Sequence, residues 1–265
     1  MAFFVQENEV LGGNFLIYGQ EGSGKTNLAK RFPKPVIVRT EKGVSEKGGI
    51  YSDPTTYGEL WDDLISIYEQ GMPQGSTSLV IDSVTKAETL INSQFCAQQG
   101  ISELQDLGGK KMGGAYVWRE AVMNIWNDFL SLLSAIRERH EINIVLVAHN
   151  KMKQEKRVDS DSYNMEDLDL LNPRAVEAIR RWSDVNAFIY KKVVVTNTTG
   201  NDKMKNNIAR DTGGTNLIGL KRNAGFHAKL RDFGGRVDVA NIPDSIEYDL
   251  EGTEFFNVFS NVLAK

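Results

Sequence analysis

Residues 19–26 read Gly19-Gln20-Glu21-Gly22-Ser23-Gly24-Lys25-Thr26, a G-x-x-x-x-G-K-[ST] octapeptide. Before it, Asn14-Phe15-Leu16-Ile17-Tyr18 predicts a short buried strand; after it, Asn27-Leu28-Ala29-Lys30-Arg31-Phe32 predicts the first turns of a helix. Strand, glycine-rich loop and helix, in that order, form the setting in which this motif (Walker A, or P-loop) holds phosphate. Glycines let the backbone curl so that successive N–H groups face the oxygens, and the helix N-terminus adds partial positive charge. Lys25 would reach the β- and γ-phosphates, and the Thr26 hydroxyl would take one Mg²⁺ position. The expected ligand is a nucleoside triphosphate, taken as ATP with Mg²⁺.

The rest of the chain limits what surrounds such a loop. Its 265 residues suit one large α/β domain: a core over 10–195, a β region over 196–250 and a closing helix over 251–265. Hydrophobic residues at 41% and charged residues at 25% suit a soluble protein with a real core. A net charge of −4 carries no global basic signal, so nucleic-acid contact would need a local patch. Cys96 is the sole cysteine, which excludes an intrachain disulfide and a Cys-based zinc site. His140, His149 and His227 are too scattered for a metal cluster. The N-terminus lacks signal-peptide character and no stretch of eighteen apolar residues exists, so a cytoplasmic protein with no membrane contact is expected.

Four more strands are expected over Val36–Thr40, Ser78–Asp82, Asn143–Ala148, and Ala187–Tyr190 continuing through Val193–Val195. Runs apolar on both faces predict a mostly parallel sheet covered by helices. Glu59–Gln70 and Tyr116–His140 carry helical stripes. Short β segments over Leu217–Lys221 and Phe226–Arg231 predict antiparallel strands at the sheet edge, and Glu254–Lys265 a closing helix. Two stretches, Gln99–Ala115 and Lys151–Asn172, read as long loops near the active-site edge.

Asp82 ends an apolar strand, the expected second Walker position, where its carboxylate would hold Mg²⁺ opposite Thr26. The next residue is Ser83, not the glutamate that often polarises the attacking water. Glu41, just past the strand Val36–Thr40, is the alternative base. His149 follows the strand Asn143–Ala148, where a polar side chain can bond the γ-phosphate or the water and report hydrolysis.

An aspartate without a neighbouring glutamate, a glutamate at the second strand end and a polar sensor at the next strand end resemble the RecA/RadA-like P-loop ATPases. The bare core resembles the small phage-encoded RecA-core proteins that act as single-strand annealing ATPases. Ala228-Lys229-Leu230-Arg231-Asp232-Phe233-Gly234 is similar to the K-x-R segment of RadA- and KaiC-like proteins, with Leu230 for the usual Asn and Asp232 inserted. That resemblance implies that Lys229 and Arg231 reach the γ-phosphate of a neighbouring subunit. Two apart on a strand, they share a face. It further implies DNA-lining loops, for which the candidates are Lys110, Lys111, Tyr116, Trp118 and Arg119, then Lys151, Lys153, Lys156 and Arg157. Bases would stack on the aromatics and phosphates pair with the cations.

The leading expectation is therefore a RecA-like ATPase of recombination or annealing that binds single-stranded DNA as a homo-oligomer, with a single-strand-binding or replication protein as a further partner. An ATP-gated replication loader with weak DNA affinity is the alternative. A small-molecule or nucleotide kinase is more distant, because no arginine-rich lid is evident.

Overall fold

The computed structural model describes residues 11–41, 49–107, 117–155, 162–197 and 207–265; Lys110, Lys111, Tyr116, Lys156 and Arg157 lie outside the described residues. In chain order the first half contains β1 (Asn14–Gly19), α1 (Lys25–Lys30), β2 (Pro35–Arg39), β3 (Ile50–Ser52), α2 (Tyr57–Gln70), β4 (Ser78–Asp82) and α3 (Val84–Gln99). The second half contains α4 (Val117–Ala121), α5 (Met123–His140), β5 (Asn143–Glu155), β6 (Tyr163–Leu168) and α6 (Pro173–Trp182). It closes with β7 (Val185–Asn197), β8 (Asn207–Gly219), β9 (Lys229–Leu230), β10 (Ser245–Tyr248) and α7 (Thr253–Val258).

The main sheet runs β10-β8-β7-β1-β5-β4-β2-β3. From β7 to β3 every pairing is parallel, while β8 pairs antiparallel with both β7 and β10. This is the expected architecture: a mostly parallel sheet flanked by helices, with antiparallel strands at the C-terminal edge. Phe15–Tyr18, Leu79–Ile81 and Ile144–Ala148 are all buried, because a parallel sheet is covered on both faces. Alternation sorts them. Leu16, Tyr18, Leu79, Ile81, Ile144 and Leu146 face a core shared with α2, α3, α5 and α6. Phe15, Ile17, Val80, Val145 and Val147 face a second core with α1 and α7. There Phe15 meets Phe32 edge-on at 5.0 Å and Phe259 at 5.4 Å.

Several expectations are corrected. The helix over 116–140 is two helices, α4 and α5, meeting at Val122. Asn172 Nδ2 donates to the Arg119 carbonyl at 2.9 Å, the acceptor that the Met123 N–H would use in an unbroken helix. The stretch 151–172 is not a long loop: β5 continues past the core to Glu155 and returns as β6, with Asn150 opposite Leu168 and Glu155 opposite Tyr163. Within Phe226–Arg231 only Lys229 and Leu230 form a strand, against Asn186 and Val185. The closing helix ends at Val258; beyond it, tight turns bury Phe259, Val262 and Leu263 in the second core.

Asn143, fully buried, ties the chain's C-terminus to the sheet. Its Nδ2 donates to the Thr77 carbonyl at 3.2 Å, Ser78 Oγ at 3.0 Å and the Ala264 carbonyl at 3.1 Å, and its Oδ1 accepts from Ala264 N at 3.1 Å. Asn143→Ala orphans these groups and is expected to cost about 3 kcal/mol in urea denaturation.

His227 is half-buried; burial chiefly, with the Arg180 charge, holds its imidazole down at about 4, below the usual 6.5, against the opposing charges of Asp167 and Glu155. Between those values the unfolded chain binds a proton that the folded chain does not. Stability is therefore expected to fall as pH drops from about 6.5 to about 4. Thermal unfolding across that window should flatten in His227→Gln.

Candidate nucleotide-binding site

The P-loop begins where β1 stops. Gly19 sits at φ 157, and a Cβ there would strike the Ile189 carbonyl of β7, so glycine alone lets the chain leave the sheet between its neighbours. Gly24, at φ 94, caps α1, and a Cβ there would come within 2.7 Å of the Tyr248 ring. Tyr248 Oη donates to the Gly24 carbonyl at 2.9 Å, and Asn216 Nδ2 donates to the Ser23 carbonyl at 3.1 Å. Strands β8 and β10 thus brace the loop from the side, a support that nothing in the motif announces.

Lys25 is buried at the start of α1. Its Nζ donates to the carbonyls of Gly19 at 2.8 Å and Gln20 at 2.7 Å. Burial lowers its pKa, opposed by the charges of Asp82, Glu21 and Glu41. Thr26 Oγ1 donates to Asp82 Oδ2 at 2.8 Å. Burial is the main force raising the Asp82 pKa, and Glu41 adds to it; the Thr26 bond, His149 and Lys25 oppose it. Two hard oxygens side by side, beside the P-loop lysine, suit Mg²⁺, which takes one or two protein oxygens and keeps the rest for phosphate and water. A bound Mg²⁺ would neutralise charge on the phosphoryl oxygens.

Glu41 enters the same cleft from beyond β2. Its Oε1 accepts from Ser83 Oγ, and His149 Nε2 lies 3.3 and 3.4 Å from its two oxygens. Backbone N–H of His149 donates to Thr85 Oγ1 at 3.0 Å. Register aligns the row: Gly19 lies beside His149 and Arg39 beside Asp82. The cleft measures about 500 Å³, and Ile37, Arg39 and Tyr51 form its far wall. Arg39 grips Asp53 through two bonds of 2.6 and 2.5 Å and lies 4.5 Å over the Tyr51 ring. Nothing in the sequence motifs points to Thr85, Tyr248 or the Arg39–Tyr51 wall. Ser83 carries a local signal, a hydroxyl directly after Asp82 where a glutamate often stands.

Lys229 and Arg231 lie elsewhere. Strand β9 pairs with the first residues of β7, and Val185 lies beside Phe15, so the pair sits at the end of the sheet where β1 starts. The length of β1 separates them from their own P-loop, about 15 Å at 3.3 Å per residue. Lys229 Nζ donates to the carbonyls of Arg180 at 2.9 Å, Arg181 at 3.1 Å, and Ser183. Arg231 bonds Asp184 at 2.8 Å and the Arg181 carbonyl at 3.3 Å. Both cations thus meet the C-terminal turn of α6, where carbonyls lack helical partners.

Among the residues named for DNA, Trp118 is in the core, 4% exposed, and so is not placed to stack on a base. Arg119 lies 5.6 Å from its ring. Lys151 donates to the Leu170 carbonyl and lies 3.5 Å from Asp169. Lys153 lies 3.8 Å from Glu155 and 3.9 Å from Asp167. No described helix is long and apolar enough to cross a membrane.

A strand–loop–helix with a lysine, a hydroxyl–aspartate pair and a carboxylate in one cleft defines a P-loop nucleotide-binding core. Residues 12–231 match the family model described as AAA domain, and the chain belongs to that family. No curated protein matches. Among solved structures the chain is similar to that titled "Crystal structure of the RadB recombinase", at 14% identity and a TM-score of 0.44, covering 81% of this chain and 82% of that one.

Gly24→Ala should push the Tyr248 ring away and open the loop. Titration with a fluorescent ATP analogue is expected to show affinity weaker by at least about tenfold, with the circular dichroism of the fold retained.

Proposed function

We propose that the chain is a Mg²⁺-dependent ATPase that acts as an oligomer on single-stranded DNA, in recombination or annealing. The carrying observation is the Glu41 carboxylate, held between Ser83 and His149 in the cleft that contains Lys25, Thr26 and Asp82. A carboxylate so placed can take the proton of an attacking water, and Lys25 with Mg²⁺ at Thr26 and Asp82 would stabilise the phosphoryl charge. His149, bonded to that carboxylate, is placed to sense its state.

Lys229 and Arg231 are too far from their own loop to serve it, so any phosphate they meet belongs to a neighbouring subunit. In that role they exchange the α6 carbonyls for phosphate oxygens. DNA binding rests on Arg119, Lys151 and Lys153, with Lys110, Lys111 and Tyr116 beyond the described residues. The subfamily proposed is the small phage-encoded annealing ATPases, working in the cytoplasm with a single-strand-binding or replication protein. A second reading, an ATP-gated loader with weak DNA affinity, is favoured by the carboxylates facing Lys151 and Lys153.

Glu41→Gln is expected to lower kcat about a hundredfold while analogue affinity stays unchanged; full activity in this variant would remove the base assignment. Gel filtration with a non-hydrolysable ATP analogue, with and without an oligonucleotide, should show nucleotide-dependent assembly that Arg231→Ala loses. Hydrolysis that single-stranded DNA leaves unchanged would favour the loader.

A further inference from the structure

The residue after Asp82, Ser83, is bonded to the glutamate that arrives from another strand, Glu41. We infer that Ser83 is a positioning residue: its hydroxyl holds the Glu41 carboxylate in the orientation that accepts the proton of the attacking water. This rests on the reading of Glu41 as the base.

Three observations carry it. First, Ser83 is fixed. It is 1% exposed, its N–H donates to Thr40 Oγ1 at 2.9 Å, and its carbonyl accepts from the same hydroxyl at 2.6 Å. Thr40 N in turn donates to the Asp82 carbonyl at 2.9 Å, so the chain segment bearing Glu41 is stitched to the one bearing Ser83. Second, the direction of the hydroxyl proton is set. Ser83 caps α3, and its Oγ accepts from Lys86 N at 3.2 Å. With that lone pair engaged, its single proton is left for Glu41 Oε1. Third, Glu41 needs such a hold. Its side chain is 42% exposed and belongs to a residue type with many rotamers, each of which aims the carboxylate differently. His149 is itself 36% exposed, and its ring contacts Glu41 at the long end of hydrogen-bond range. Ser83 is thus the rigid member of the pair that grips the carboxylate.

The alternative is that Ser83 is only a helix cap. A cap needs the oxygen as an acceptor; positioning Glu41 also needs the proton as a donor. Both are lost in Ser83→Ala and kept in Ser83→Thr. Steady-state ATP hydrolysis, ATP-analogue affinity and thermal midpoint are measured for both variants, for Glu41→Gln, and for Ser83→Ala combined with Glu41→Gln. Ser83→Ala is expected to lower kcat about tenfold with affinity unchanged, since a displaced catalytic group costs rate rather than binding. Ser83→Thr restores most of that rate. In the Glu41→Gln background the same alanine substitution leaves the residual rate unchanged, because the group it positions is gone.

A Ser83→Ala variant that melts earlier yet keeps full kcat overturns the proposal while leaving Glu41 as the base. An equal loss in both backgrounds overturns it too, since Ser83 would then act elsewhere. Undiminished activity in Glu41→Gln overturns the base assignment itself, and this proposal with it. Should Ser83→Ala not fold, Ser83→Gly, a milder cap replacement that also lacks the hydroxyl, is compared with Ser83→Thr in its place, with the same outcomes deciding.

Discussion

Parallel pairing of β5 with β1 on one side and β4 on the other is the constraint on which the site depends. It levels the strand ends, so that Gly19 sits beside His149 and Asp82 beside Val147. Strand side chains alternate with a period of two, and a slip of one residue would turn every one of them to the opposite face. Asp82 would then point toward the α2, α3 and α5 core instead of toward α1, and Thr26 would lose its partner. The register is secured by burial rather than by polar contacts in the site. Leu79 through Ile81 and Ile144 through Ala148 are almost fully buried, and each is close-packed into one of the two cores, whose shapes it must fit. The chemistry at the edge is thus set by apolar residues several ångströms below it.

That edge gathers groups that resist burial. Lys25, Asp82 and Glu41 share one cleft, and an isolated buried charge costs several kcal/mol. Each is compensated locally: Lys25 by two loop carbonyls, Asp82 by Thr26, Glu41 by Ser83 and His149. The compensation is uneven. Lys25 and Asp82 are still pushed toward their neutral forms, which marks them as groups that gain from a counter-charge. A triphosphate with its metal supplies both signs at once. The loop that would receive it is held by Tyr248 and Asn216 before any ligand arrives, so less ordering is left for binding to pay for.

The sheet and the residues at its strand ends were legible because parallel strands are apolar runs with abrupt polar ends. Asp82, Glu41 and His149 each follow such a run, and the structure brings them into one cleft. What stayed hidden has three physical causes. Helix α3 packs on the core with Ala87, Ile91 and Phe95 but presents polar residues on most of its surface, so its period is faint. The β5–β6 pair reads as a charged loop because Lys151 to Gln154 are all exposed, so no alternation marks that half of β5, and β6 buries the charged Asp167 beside Met165 and Leu168. The spacing of Lys229 and Arg231 reads as one face of a strand. The two side chains do turn the same way, but toward the end of α6, a contact 46 to 50 residues distant in sequence for which no local pattern exists.

The continuity of β5 links these regions mechanically. Its first half lies in the sheet core and its second half in the hairpin, with His149 and Asn150 at the junction. No glycine or proline interrupts residues 143–155, so the strand has no hinge that would absorb a displacement of His149. Asn150 Nδ2 bonds Glu166 at 2.5 Å, and Glu166 N–H donates to the Gly225 carbonyl at 2.7 Å. From Gly225 the chain passes Phe226 and His227, whose carbonyl accepts from Tyr18 Oη just below the P-loop, and then reaches Lys229. The basic pair is remote from the P-loop along β1, yet only one hairpin and a few residues of chain separate it from the contact between His149 and Glu41. A site whose carboxylate is gripped from α3 and from β5 therefore has one rigid wall, Ser83, and one wall that hydrogen bonds link, through Glu166 and Gly225, to the segment carrying Lys229 and Arg231.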